Sequence, residues 1–97
     1  MRDTMITLQE IINIEQPSDK PEVQYLISVK TKQNFDVYGS IEMSGYGYES
    51  QIQTQLTAYF EGQENMDNFV LFKNGDSIKI SEIVHLKVEK GSTSLPF

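Results

Sequence analysis

The chain has 97 residues, 38% of them hydrophobic, with no cysteine, and 8 basic against 14 acidic residues leave a net charge of −6. That length supplies one core and no second globular unit, and the missing cysteines exclude disulfides, thiolate nucleophiles and sulfur-ligated zinc. The negative field repels polyanions and so disfavours nucleic acid as a partner. No apolar run from Met1 onward is long enough for a signal segment or a membrane span, so the expectation is a cytoplasmic protein without membrane attachment.

The first fifteen residues carry two patterns. Thr7-Leu8-Gln9-Glu10 has the form of a helix capping box, while Ile6, Leu8, Ile12 and Ile14 share strand parity; the β-branched content favours strand. Gln16 to Pro21 holds two prolines and reads as a loop, because proline cannot continue a ladder. From Val23 to Lys32 the residues Val23, Tyr25, Ile27, Val29 and Thr31 alternate with polar neighbours, Leu26 excepted, and Phe35, Val37, Ile41 and Met43 continue the pattern. Period two is the signature of a half-buried strand. Keeping both apolar sets on one face requires an odd connection, so Lys32-Gln33-Asn34 forms a three-residue loop with Asn34 left-handed. Val29 then faces Val37, Tyr25 faces Ile41, and Gly39 falls opposite Ile27, where a glycine marks a bend or bulge.

Gln51 to Glu61 fits either a helix, with Ile52, Leu56, Tyr59 and Phe60 on one stripe, or a strand, with Ile52, Thr54, Leu56, Ala58 and Phe60 alternating and only Tyr59 out of place. Ser50 with Gln53 as a capping box and Gly62 as a C-terminal cap favour the helix. Phe69 to Lys73 leads into Asn74-Gly75, the preferred pair of a two-residue hairpin turn, which sets Leu71 against Ile78 and Phe69 against Ile80. A last strand follows from Ile83 to Glu89, with Val84, Leu86 and Val88 facing one way. The expected fold is therefore α+β: antiparallel hairpins of about 5–6 strands with one helix near 51–61 on the sheet. The alternative is an all-β, SH3-like or Sm-like small barrel. Residues 1–90 form a single small domain, and 91–97 a flexible tail.

Sites of chemistry are sparse. His85 is the only histidine and has no cysteine or second histidine beside it; a half-exposed strand position accounts for it. Glu61 to Asn68 is rich in oxygen ligands but lacks the spacing of a calcium loop. Ser44-Gly45-Tyr46-Gly47-Tyr48-Glu49-Ser50 superficially has the form of a phosphate-binding turn, yet Ser50 replaces the third glycine and Glu49 places negative charge at the anion position. No catalytic, cofactor or metal residues are assigned. Tyr46 and Tyr48 are the candidate partner-binding residues, since glycine-flanked tyrosines suit contact surfaces. The functional expectation is a non-catalytic protein-interaction or regulatory module with an unidentified protein partner, with homodimerisation through a sheet edge as one form of it. The alternatives are an acidic nucleic-acid mimic, using Glu10, Glu15, Glu22, Glu42 and Glu49, and, behind it, a small enzyme.

Overall fold

Alternation builds the central hairpin. In the computed structural model, which describes residues 5–16, 20, 22–72 and 75–93, strands β2 (Val23–Thr31) and β3 (Asp36–Met43) pair antiparallel. Val29 lies opposite Val37, Tyr25 opposite Ile41 and Ile27 opposite Gly39, as the odd-length connection requires. Asn34 adopts φ 70° and its N–H donates to Thr31 O at 2.8 Å, closing the turn. All five odd residues of β2 are buried, so one strand carries the middle of the core. The expected bulge at Gly39 is absent, since pairing runs through it without interruption. The glycine instead makes room: a Cβ there would lie 2.5 Å from Leu8 Cδ1 and 3.0 Å from Phe72 Cδ1.

On the other side of β2 lies β6 (Ile83–Val88), giving the order β3-β2-β6, and a two-residue strand β7 (Ser92–Thr93) pairs with Val23 and Gln24. The ladder thus reaches into the expected tail; 94–97 lie outside the described residues. The expectation that Val84 shares a face with Leu86 and Val88 is corrected. A register shift between Lys30 and Thr31 places Ile83 opposite Thr31 and leaves Val84 57% exposed. An extra residue on one strand reverses side-chain parity beyond it.

Residues Glu49–Glu61 form helix α2, which buries Ile52, Leu56 and Phe60. These recur every four residues, so they stack on one face, and burying each contributes about 2 kcal/mol. The caps differ from expectation. Tyr48, not Ser50, is the N-cap and makes no side-chain cap bond, and Gly62 ends the helix at φ −70° rather than in the left-handed region. The stripe and not the caps holds this helix. With 51–61 helical and both sheets open, the fold is α+β and the barrel alternative is excluded.

A second sheet of order β1-β4-β5 comprises β1 (Met5–Thr7), β4 (Phe69–Leu71) and β5 (Ser77–Lys79), with β1 parallel to β4. Two expectations are corrected here. The strand across the first fifteen residues stops at Thr7, where a single helical turn α1 (Leu8–Ile11) begins with its full capping box: Glu10 N–H donates to Thr7 Oγ1 at 3.2 Å and Thr7 N–H to Glu10 Oε1 at 2.8 Å. The turn lets Leu8 enter the core over Gly39. In the second hairpin Val70 faces Ile78, Leu71 faces Ser77 and Phe69 faces Lys79, one residue off the expected register. The run 69–72 is apolar at both parities, so its pattern could not choose, and burial of Val70, Phe72 and Ile80 decides. Phe72 N–H donates to Asp76 O at 2.6 Å and Gly75 takes φ +80°, so the connection is three residues long. Asn74, half of the expected turn, lies outside the described residues.

Two glutamines bind backbone as a neighbouring strand would. Gln9 Nε2 donates to Glu42 O at 3.2 Å while Glu42 N–H donates to Gln9 Oε1 at 2.9 Å, which caps part of the β3 edge. Gln55 on α2 makes the same pair with Asn13: 2.7 Å from Asn13 N–H to Oε1 and 3.0 Å from Nε2 to Asn13 O.

Candidate functional site

The glycine-tyrosine segment joins β3 to α2, and a buried side chain fixes its shape. Tyr25, fully buried on β2, donates its hydroxyl to Gly45 O at 2.7 Å and accepts Tyr48 N–H at 3.2 Å. One phenol therefore ties both ends of a four-residue loop. Between the tied ends Gly47 takes φ +88°, a conformation closed to most residues, and Tyr46 stands 62% exposed. The two tyrosines separate: Tyr48 is half-buried against the core, and Tyr46 faces outward. Burial pushes the Tyr25 hydroxyl above its ordinary value near 10; the Tyr48 N–H opposes the rise and the nearby Glu49 carboxylate adds to it. Sequence reasoning placed Tyr25 in the core and missed its hydroxyl. The only signal was a tyrosine where phenylalanine would fill the same space.

His85 is exposed on β6 opposite Lys30. The loop after α2 folds as a 3₁₀ turn (Gln63–Asn65), with Asn65 Nδ2 donating to Tyr59 O at 3.0 Å. Among the described residues no three His, Asp or Glu side chains gather as a metal site. Of the carboxylates considered for mimicry, Glu10, Glu15, Glu22 and Glu42 are exposed, and Glu22 and Glu42 lie at the same end of the β2–β3 ladder, where Glu22 N–H donates to Met43 O at 2.9 Å and Gln24 faces Glu42. Glu49 is half-buried and accepts Gly91 N–H at 3.2 Å. No described helix is long and apolar enough to cross a membrane.

A cleft that the sequence did not suggest lies between the end of the β2–β3 hairpin and β5. Its volume is about 480 Å³, and Phe35, Val37, Phe69 and Ile78 supply its apolar walls. Phe35, expected on the core face, is 62% exposed. Asp36 at the rim pairs with Lys30 at 3.2 Å, and Lys79 pairs with Asp67 at 3.5 Å. No protein-family model matches the chain, and no curated protein or solved structure is significantly similar to it.

Proposed function

We propose that this protein is a non-catalytic interaction module that contacts a partner protein through Tyr46. The supporting observation is a large amphipathic ring, 62% exposed, on a loop held at both ends by the buried Tyr25 hydroxyl. Aromatic anchors dominate binding energy at interfaces, and a loop ordered before binding loses less entropy on association. Tyr48 serves the fold, since it packs against the core and its backbone carbonyl accepts Ile52 N–H at the start of α2. A net charge of −6 favours a protein partner over nucleic acid, and a cysteine-free chain suits the reducing cytoplasm. A second copy of the chain belongs to the same class of partner.

The test is a photo-crosslinking residue at position 46 in cells, beside Tyr46→Ala in a capture experiment with native extract. Tyr46→Ala should still unfold in one cooperative transition and should lose the crosslinked partner from the captured set. Identical captured sets for wild type and Tyr46→Ala would reject the proposal.

A further inference from the structure

We propose that the cleft between β3 and β5 is a docking site for an extended basic segment of a partner protein, one that alternates lysine or arginine with apolar side chains. This surface is separate from Tyr46, and neither reading rests on the other.

Three features specify the occupant. The first is shape. A cleft of about 480 Å³ walled by Phe35, Val37, Phe69 and Ile78 accepts several aliphatic side chains and lies within the range of binding sites. The second is backbone. Phe72 N–H binds Asp76 O, and Ile80 N–H binds Asn68 O, so bonded pairs alternate and Val70–Ile78 is one of them. The N–H and C=O of Ser77 and the N–H of Lys79 consequently point away from β4, while Lys79 C=O, at the start of the 3₁₀ turn Ile80–Glu82, accepts the first bond of that turn. These two residues border the cleft, and β5 ends its sheet among the described residues. An edge of this kind is completed by another strand, which a compact small molecule cannot supply.

The third feature is charge. Asp36 and Lys79 at the rim are already paired, whereas Asp76 and Glu82 have no ion pair among the described residues. The rim is therefore net negative on a chain of net charge −6, which favours a cationic occupant and opposes a second copy of the same acidic chain. Apolar side chains of an alternating segment would enter between Val37 and Ile78 while its cations met Asp76 and Glu82.

The test uses the isotope-labelled full chain and a capped heptapeptide of alternating lysine and valine, followed by amide chemical shifts. Three comparisons accompany it: the glutamate-for-lysine peptide, a peptide N-methylated at its valines, and the protein variant Asp76→Asn/Glu82→Gln. Shifts should cluster at Ser77, Ile78, Lys79 and Val37. The glutamate peptide and the N-methylated peptide should each bind at least about tenfold more weakly, and the double variant should lose about three- to tenfold, as two exposed charge pairs permit. Shifts scattered over the acidic surface, equal affinity for either control peptide, no saturable binding, or self-association through the same residues without peptide would each overturn the proposal.

Discussion

Replacing Gly39 with alanine probes how α1 seats on the central hairpin. The added methyl would sit 2.5 Å from Leu8 Cδ1 and 3.0 Å from Phe72 Cδ1, both inside normal contact. Leu8 is 2% exposed and Phe72 5%, so neither can swing into solvent without giving up its burial. Overpacking of this kind costs about 1–3 kcal/mol, and the reduced entropy of the unfolded chain returns about 0.4–1 kcal/mol. The net is a loss of about 1–2 kcal/mol, which for a chain of this size lowers Tm by about 5–15 °C. Circular dichroism melts measure it directly. Leu8→Ala alone costs about 2–4 kcal/mol through the cavity it leaves. Combined with Gly39→Ala, it removes the side chain that the new methyl strikes, so the pair should destabilise by about 1 kcal/mol less than the sum of the singles. An unchanged or raised Tm for Gly39→Ala, or strict additivity in the double variant, would refute the close approach.

Tyr25→Phe removes the hydroxyl that ties Gly45 to Tyr48 and should cost about 1–2 kcal/mol in a denaturant melt. Because the folded-state pKa of Tyr25 is raised, its contribution is complete below the unfolded value near 10 and is lost as pH rises toward the folded value. Wild type should therefore lose more stability than Tyr25→Phe as pH rises above about 10; parallel curves would count against the buried phenol. At α1 the Thr7 N–H, and then the Thr7 hydroxyl, hold the Glu10 carboxyl below its ordinary value of 4.5. The sign is opposite: this cap is intact above the ordinary carboxylate pKa and fails as pH falls through the lowered one. Carboxyl-carbon NMR should show Glu10 titrating below the exposed glutamates, and Thr7→Ala should raise it and cost about 1 kcal/mol of stability.

The parts of the fold legible in the sequence are those where one face alone is apolar. Val23 to Met43 alternates cleanly, so the β2–β3 register and the left-handed Asn34 follow from parity. Ile52, Leu56 and Phe60 fix α2 for the same reason, although Ser50 misplaced its N-cap and Gly62 ends it without a left-handed turn. Where both parities are apolar, as in Phe69 to Phe72, the local pattern is degenerate and burial against the rest of the chain sets the register. Thr7 and Glu10 formed a legible capping box, but β-branched neighbours outweighed it; a helix of one turn has little propensity to set against them. At the candidate site, Tyr46 was visible as a glycine-flanked aromatic. Its anchor was not, because the phenol of Tyr25 acts across 20 residues of sequence. The cleft at β5 was hidden for a similar reason: its apolar walls join Phe35 and Val37 to Phe69 and Ile78, which are distant in sequence.

The paired amide bonds of Gln9 and Gln55 restrict how this surface can drift in evolution. Each side chain gives a hydrogen to a carbonyl and receives one from the same residue's N–H, on Glu42 and Asn13 respectively. Glutamate has the same outline and suits an acidic exterior, and a single base change in any glutamine codon produces it. At these two positions it would set a carboxylate oxygen against a carbonyl oxygen. The substitution nearest in outline keeps the bond from the N–H and turns the one to the carbonyl into a repulsion, so each glutamine does at its site what the acidic residues around it cannot.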